Sequence, residues 1–331
     1  MARQRKKRRL ARLTRPLRDA LTVPLLETLR RICCLLPHRV VLALGRAAGT
    51  LAWMLAGSLR HRSFEQMRRA SIGRDDDERR RLVRAMFQSI GMNSLEWLHS
   101  TGWSDERVME HIEFPEHEPG EAERAAGNGQ INITAHMGNW EIFPRAYGIH
   151  TRRRLMILMA PQRSPKLNDW IVRTRSRGFE LVMTEEGALK PLRTLRRGDI
   201  VALLADQDST RNPGIFVDFF ARPAYTPSGP AHLAYRTGAA ILPMVIMRRT
   251  DDPTRHRVHY GEAIVPDRTA PIDEEVRRMT QEYTAQLERF IRMRPETWVW
   301  LHERWKHQPG DRIRVRKPRH RRPATAAQVA R

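Results

Sequence analysis

A histidine followed five positions later by a glutamate is the spacing in this sequence with the clearest chemical meaning. His136 and Glu141 lie in the stretch INITAHMGNWEIF, residues 131–143. A histidine that is oriented by a carboxylate can act as a general base. Here it would deprotonate a hydroxyl of the substrate, which then attacks an activated acyl carbon. The same spacing separates His111 from Glu116, so spacing alone does not identify a site.

The residues around His136 distinguish it from the second pair. An apolar, β-prone run leads into His136, and in α/β folds ligands gather where strands end and loops lead into helices. Gly138 allows a tight turn, Asn139 suits an N-cap, and Glu141 falls in the first turn of the helix expected next. The segment around His111 is polar and interrupted by prolines. We therefore predict that His136 is the base and that Glu141 holds its ring.

Short apolar runs alternate with helical patterns after residue 129, and these elements must position the pair. The apolar runs are typical of strands, and the amphipathic segments between them are typical of helices. The alternation predicts an α/β fold with a mixed, largely parallel central sheet flanked by helices over residues 109–306. A helical lead-in, residues 60–108, precedes this core and forms one domain with it, residues 60–306. Residues 256–264 are expected to form an edge strand.

The ends of the chain carry much of its positive charge. The 331 residues have a formal net charge of +23, which favours an anionic partner such as an acidic membrane surface or nucleic acid. Residues 1–15 are predicted to form a basic N-terminal tail, and residues 307–331 a basic, disordered C-terminal tail. Residues 16–59 include a mostly apolar run from Val40 to Leu59. Its length and composition predict a membrane-associated helical hairpin.

The cysteine count and the motif content narrow the function classes. Cys33 and Cys34 are the two cysteines of the chain, and adjacent cysteines cannot link distant parts of a fold. They indicate a reducing compartment. Because no zinc-ligand spacing and no nucleic-acid-binding motif is present, we expect no metal, no cofactor and no nucleic acid partner. The remaining non-enzymatic alternative is a basic protein that binds membrane or nucleic acid with affinity that falls steeply with salt.

Several sequence blocks together resemble a known enzyme family. The stretch AHMGNWE resembles the H-x4-E motif of the lysophospholipid acyltransferase superfamily, and it is most similar to the late acyltransferases of bacterial lipid A biosynthesis. The block LADQDSTRNPGIFVDFFARPAYTPSGPAHLAYRTGAAILP, residues 204–243, matches the same family, and so does the closing block RPETWVWLHERWK, residues 294–306. The resemblance covers most of the chain and is far more specific than the H-x4-E spacing.

The resemblance implies an activity, a location and a set of site residues. A fatty acyl chain would pass from acyl carrier protein, or another acyl thioester, to a hydroxyl of a lipid A precursor. This would take place at the cytoplasmic face of the bacterial inner membrane, which is an anionic surface. His136 would be the base and Glu141 its partner, while Thr226 and Gly229 would begin a helix near the glycolipid acceptor. The substrate-binding positions implied are Gly138, Asn139, Trp140, Asp206, Gln207, Asp208, Thr226, Gly229 and Arg304.

One position departs from the family pattern and leaves the acceptor open. The family often has Arg-Pro-x-x-Asn-Pro after the second core strand, whereas this chain has APQRSP, with Ala160 at the arginine position. Arg163 is a candidate replacement because an arginine can stabilise an oxyanion or bind a phosphate. The equal alternative is a solvated surface cation. Related glycolipid acyltransferases, such as those acting on phosphatidylinositol mannosides, share the architecture, so an acceptor of that kind stays open.

Overall fold

Helices and strands alternate along the part of the chain that the structure, a computed structural model, describes. The described residues are 21–120, 127–162, 164–175, 178–184, 187–210 and 213–315. The helices are α1 (21–35), α2 (His38–Leu55), α3 (Gly57–Arg69), α4 (Asp76–Ser100), α5 (Asp105–His111), α6 (Phe143–Thr151), α7 (Pro165–Arg175), α8 (Leu189–Arg196), α9 (Gly229–Thr237), α10 (Ile272–Met293) and a 3-10 turn (Pro295–Thr297). The strands are β1 (Ile112–Glu113), β2 (Gln130–Thr134), β3 (Leu155–Met159), β4 (Glu180–Met183), β5 (Ile200–Leu204), β6 (Gly214–Phe219), β7 (Arg222–Pro227), β8 (Ala240–Arg248) and β9 (His256–Tyr260).

Seven strands form the central sheet, in the order β1-β9-β8-β2-β5-β3-β4. Every pairing in it is parallel except that of β8 with β9. The mixed, largely parallel sheet flanked by helices is therefore confirmed. All residues of β8 are buried, as expected for a strand with helices on both faces. The predicted edge position of β9 is wrong, because the short strand β1 pairs along its outer side.

A separate hairpin of β6 and β7 follows the fifth strand of the sheet. The sequence did not predict β7, because Pro223 and Pro227 argue against a strand. In a two-stranded hairpin a proline is tolerated, since one side of the strand needs no N–H donor. Thr226 lies in β7 and is fully buried. It was expected to begin a helix, but that helix, α9, starts at Gly229.

Helices α2 and α4 touch along their backbones. A Cβ atom placed on Gly45 would lie 2.7 Å from the carbonyl oxygen of Gly91, and one placed on Gly49 would lie 2.3 Å from that of Phe87. Any larger side chain at these positions would force the two helices apart. The glycines therefore seat α2 firmly on α4, which is the long helix of the predicted lead-in.

The N-terminal helices end differently from the predicted hairpin. Helices α2 and α3 are separated by a bend of 93°. Helix α3 begins at Gly57, so the boundary predicted at residue 59 falls inside it. Within the described ranges no single helix is long and apolar enough to cross a membrane, but α2 and α3 meet the length and composition criteria as a bent pair. The large apolar side chains that are exposed on the N-terminal helices and the short links between them are Leu21, Leu25, Ile32, Leu35, Val40, Leu44, Leu51, Met54 and Leu55.

The two predicted tails fall mainly outside the described residues. This applies to residues 1–15 and to the part of the C-terminal tail after residue 315.

Candidate active site

The strand register brings a histidine and an aspartate together at the carboxyl edge of the sheet. Strands β2 and β5 are parallel neighbours, and Thr134 pairs with Leu204 at their ends. Just beyond these residues, the backbone N–H of His136 donates to Asp206 Oδ2 at 2.9 Å, and the ring Nδ1 lies 2.9 Å from Oδ1. One carboxylate therefore fixes both the backbone and the ring of His136.

The surroundings of Asp206 keep it ionised. Its side chain is 1% exposed, and Trp298 Nε1 donates to Oδ2 at 2.7 Å. Burial raises the pKa of Asp206, but the charge of His136 and the hydrogen bonds from His136 and Trp298 outweigh it and lower the pKa to about 2. An ionised carboxylate accepts hydrogen bonds only, so the Nδ1 of His136 carries a proton and donates it. Nε2 is then the basic nitrogen of the ring.

The ring of His136 is placed to accept a proton. The side chain is 26% exposed, and among the described residues no partner is bonded to Nε2. Burial lowers the pKa of His136, but the charge and hydrogen bond of Asp206, with a further contribution from the charge of Glu141, raise it above its ordinary value. A higher pKa makes the neutral ring a stronger proton acceptor. This arrangement suits general-base chemistry at a group that approaches from the open side.

The loop of residues 136–142, named the catalytic loop after the predicted role of His136, is held by backbone contacts to the segment after α10. The N–H of Gly138 donates to the carbonyl of Thr297 at 3.0 Å, and the N–H of Val299 donates to the carbonyl of His136 at 3.0 Å. Gly138 has φ +59°, and a Cβ atom there would lie 1.6 Å from the carbonyl oxygen of Ile246. Only glycine fits this position.

Glu141 lies beside the base but is bonded to other residues. Its carboxylate accepts from Arg175 Nε at 2.7 Å, from Arg175 Nη2, and from Trp140 Nε1 at 3.1 Å. The hydrogen bond predicted between Glu141 and the ring of His136 is made by Asp206 instead. The reason is local geometry, because α6 begins three residues later than expected and leaves Glu141 in the preceding turn.

Asn139 has a different task from the predicted N-cap. Ile142 occupies the N-cap position of α6, whereas the side chain of Asn139 is fully buried. Its Nδ2 donates to Glu96 Oε2 at 2.7 Å. Asn139 therefore anchors the catalytic loop to α4. Sequence reasoning missed Glu96, since a glutamate on an amphipathic helix usually faces solvent.

An apolar pocket of about 260 Å³ opens beside the catalytic loop. Leu26 and Leu29 of α1 line one side, Trp97 of α4 lines another, and Trp140 and Glu141 close it toward the base. The pocket therefore adjoins His136 through Trp140, and it adjoins the ion pair of Glu141 with Arg175. Such a combination of an apolar wall and a few polar groups is typical of a small-molecule site.

Comparison with known proteins places the chain in a family. The sequence model of the family described as bacterial lipid A biosynthesis acyltransferase matches residues 12–307. The chain belongs to this family. It is accordingly an acyltransferase.

The acyltransferase is similar to characterised relatives in two groups of bacteria. It is 26% identical to the lipid A biosynthesis lauroyltransferase of Escherichia coli (strain K12) over 279 residues, which cover 83% of this chain and 88% of the relative. It is 25% identical to the lipid A biosynthesis palmitoleoyltransferase of the same strain over 287 residues, covering 83% and 87%. It is 35% identical to the phosphatidylinositol mannoside acyltransferase of Mycobacterium tuberculosis (strain CDC 1551 / Oshkosh) over 129 residues, covering 37% and 40%.

The second aspartate of the acyltransferase's Asp-Gln-Asp block also holds a histidine. Asp208 is buried and accepts from the backbone N–H of His307 at 2.9 Å, and its Oδ1 lies 2.6 Å from the ring Nδ1. Gln207, between the two aspartates, is half-buried. The predicted C-terminal tail therefore begins too early, because His307 is fixed to the folded core.

Arg304 and Thr226 bind each other inside the acyltransferase. Arg304 is buried, and it donates from Nη2 to Thr226 Oγ1 at 2.6 Å and from Nη1 to the carbonyl of Tyr225 at 2.7 Å. Burial lowers the pKa of Arg304 to about 10, although nearby carboxylates oppose the shift. Gly229 has open space around its Cα. Arg304 and Thr226 join the hairpin strand β7 to the closing block, and neither lines the pocket.

Two other arginines bear on the position where the acyltransferase has Ala160 in place of the family's arginine. Arg163 lies outside the described residues, so its role stays a prediction. Arg175, which sequence reasoning did not place in the site, is the cation that pairs with Glu141. Nothing in its helical spacing marks it, because its partner lies on another element. In the described part of the chain, no cluster of three or more histidine, cysteine or acidic residues suits a metal ion.

Proposed function

We propose that the protein transfers a fatty acyl group from acyl carrier protein, or another acyl thioester, to a hydroxyl of a lipid A precursor. The observation that carries the proposal is the Asp206–His136 pair beside an apolar pocket. The rings of His136 and Trp140 lie edge to face with centroids 5.4 Å apart, and Trp140 lines the pocket. A base next to space for a hydrocarbon chain is what acyl transfer to a lipid requires.

Transfer would proceed by proton movement at Nε2 of His136. Nε2 accepts the proton of the acceptor hydroxyl while that oxygen bonds to the thioester carbonyl carbon. The carbon–sulfur bond then breaks, and the leaving thiolate takes the proton from Nε2, so the ring returns to its neutral form. Asp206 holds the ring in one tautomer and stabilises the positive charge that it carries between the two steps.

The ion pair of Glu141 and Arg175 would shape the entrance to the pocket. The guanidinium carbon of Arg175 lies 5.7 Å from the ring centroid of Trp97, which is a pocket residue. Glu141 therefore holds a cation beside the apolar space. Glu141 occupies Nε and Nη2 of Arg175, so the remaining donor toward an anionic group of a substrate would be Nη1.

We assign the working location to the cytoplasmic face of the inner membrane. Helix α1 lines the pocket through Leu26 and Leu29, while other side chains of the same helix, such as Leu21 and Leu25, are exposed. A helix with apolar side chains toward both solvent and pocket can lie against a bilayer and give an acyl chain a path inward. The net charge of +23 adds attraction to anionic lipid.

A second acceptor is supported by a specific observation. The relative with the highest identity among those described is a phosphatidylinositol mannoside acyltransferase, although the match covers 37% of this chain. Ala160 also departs from the pattern expected of lipid A enzymes. A glycolipid of the phosphatidylinositol mannoside type is therefore the alternative acceptor for the same reaction.

Mass spectrometry of lipids from a strain that lacks the gene would separate the two acceptors. We expect a lipid A precursor that lacks one acyl chain to accumulate, and we expect the wild-type chain, but not His136→Ala, to restore the missing acyl group. Loss of an acyl chain from a phosphatidylinositol mannoside would favour the alternative. Unchanged lipids of both classes would contradict both acceptors.

A further inference from the structure

A fully buried glutamate lies next to the catalytic loop, and donors from four segments of the chain meet on it. Glu96 of α4 has no exposed surface. Its carboxylate lies 2.8 Å from Nε2 of His38 and 2.9 Å from Nε2 of His256, and it accepts from Nδ2 of Asn139 at 2.7 Å. Arg248 donates through Nη1 at 3.0 Å and also through Nη2. These donors come from α2, β9, the catalytic loop and β8.

The charges in this cluster around Glu96, called the Glu96 node, offset each other. Burial raises the pKa of Glu96, but the charges of His256 and Arg248, together with the hydrogen bonds to the histidines, hold it well below its usual range. Burial lowers the pKa of His256. The node therefore consists of an ionised carboxylate with the Arg248 guanidinium as its counter-ion. Removing either charge would leave the other buried and unpaired, which is strongly destabilising, so a test must vary one of the other partners of Glu96.

Helix α4 binds the catalytic loop through two residues less than one turn apart, Asn93 and Glu96. Nδ2 of Asn93 donates to the carbonyl of Gly138 at 2.7 Å, and Oδ1 of Asn93 accepts from Arg248 at 3.0 Å. Glu96 binds the next loop residue, Asn139, as described above. Residues three apart share one helix face, so a shift of α4 moves both contacts together. Gly138 has no room to absorb such a shift.

His38 connects these two contacts of α4 to the N-terminal helices. It is the first residue of α2, and it is 8% exposed. The glycine contacts of Gly45 and Gly49 seat α2 on α4, while Val40 and Leu44 of the same helix are exposed. Helix α2 thus presents apolar side chains outward and a donor to Glu96 inward.

We propose that Glu96 is a positioning residue that couples the seating of α2 on α4 to the geometry of the catalytic loop, with His38 as its contact on α2. The inference rests on the proposed function, because it takes His136 as the base whose position is controlled. When α2 leaves its seat, the carboxylate loses a donor and can turn away from Asn139. The loop then loosens and the base loses its alignment, so transfer is fastest with α2 seated.

The test compares His38→Ala with His38→Gln in the full-length protein on phosphatidylglycerol vesicles. For His38→Ala we expect kcat to fall roughly ten- to hundred-fold, with an unchanged KM for the acyl thioester, because small misplacements of a catalytic group carry penalties of this size. Amide hydrogen exchange of residues 137–142 should accelerate, and exchange in β3 and β4, at the far edge of the sheet, should not change. His38→Gln should restore both readouts, since its side-chain N–H₂ can reach Glu96 from the position of Nε2.

His99→Ala is the matched control. His99 is also buried on α4, and its Nδ1 lies 2.6 Å from the carbonyl oxygen of Cys33. Its ring stacks on that of His38 with centroids 5.3 Å apart, but it makes no hydrogen bond to Glu96 among the described contacts. His99→Ala therefore removes ring packing against His38 and keeps the hydrogen bond of His38 to Glu96. Its kcat should stay within about twofold of the wild type, because the loop keeps its anchors. Equal losses in His38→Ala and His99→Ala, or unchanged loop exchange in His38→Ala, would overturn the coupling. Loop exchange needs no turnover, so it decides this question even if the wild type transfers no acyl group.

Discussion

Two histidines in this protein are held in the same way by two aspartates of one short block. Asp206 binds the backbone N–H and the ring Nδ1 of His136, and Asp208 binds the same two groups of His307. All four contacts lie between 2.6 and 2.9 Å. By orientation alone the two pairs would be equally good candidates for a base.

The neighbours of each ring separate the two pairs. The ring of His136 meets Trp140, which lines the apolar pocket. The ring of His307 meets Tyr225 with centroids 6.0 Å apart, and neither residue lines that pocket. A carboxylate that orients a histidine is therefore a device for fixing a ring, and the surroundings of the free nitrogen decide whether the ring can serve a reaction.

Replacing the two histidines gives the largest expected difference. His136→Ala should lower kcat by roughly 10³- to 10⁴-fold, because it removes the general base. His307→Ala should change kcat by less than about threefold, because it removes a contact that fixes the closing segment and no reacting group. Steady-state transfer assays with an acyl thioester would measure both. A comparable loss in His307→Ala would mean that the second pair takes part in the chemistry.

Replacing the aspartates should give the next largest difference. Asp206→Asn should lower kcat by about 10²-fold or more, since it removes the negative charge that stabilises the protonated ring. Asp208→Asn should leave kcat nearly unchanged and lower the free energy of unfolding by about 1–3 kcal/mol, because a buried charged hydrogen bond is lost. Denaturant unfolding of both variants, measured alongside transfer, would show whether the effects separate in this way.

Glu141→Gln should have a smaller effect than Asp206→Asn. Its carboxylate binds Arg175 rather than the ring, so it reaches the base only through its charge, and we expect kcat to fall about tenfold at most. Transfer assays of the two variants under identical conditions provide the measurement. If Glu141→Gln lost more activity than Asp206→Asn, Glu141 would be the carboxylate that orients the base during turnover, as the H-x4-E spacing predicts.

The smallest expected effect is a shift in pH dependence. His136 must be neutral to accept a proton, so kcat/KM should fall as the pH drops below its pKa, which the structure raises above the ordinary value. Asp206→Asn removes the charge that raises this pKa, and the acidic limb of the profile should therefore move to lower pH. Asp208→Asn should leave the limb in place. An unshifted limb in Asp206→Asn would show that another group titrates.

The place of His136 at the end of a strand could be predicted from the sequence because it depends on local pattern. The apolar run before His136, the glycine after it and the alternation of strands and helices placed it at the carboxyl end of β2. The register of β2 and β5 depends on tertiary packing, which the sequence does not reveal. The sequence could therefore name Asp206 as a site residue but not as the partner of the His136 ring. His136 and Asp206 are 70 residues apart in the chain, and a separation of that size does not indicate contact.

The residues that support the loop were beyond sequence reasoning for the same physical reason. Glu96, His38 and Arg248 lie on three different elements, and each reads as an ordinary polar residue on a helix or at a strand end. Burial makes them partners, and burial depends on how α2, α4 and the sheet pack. Strand β7 was missed for a different reason, because the rule against prolines in strands is weaker at an edge.

The contacts that complete the catalytic loop come from a late part of the chain. Gly138 binds the carbonyl of Thr297, the carbonyl of His136 binds Val299, and Trp298 binds Asp206. During translation the ribosome makes His136 and Asp206 long before it makes these three residues. A nascent chain that ends before residue 297 therefore lacks all three contacts. Translation therefore supplies the support of His136 and Asp206 only once residues 297–299 have been made.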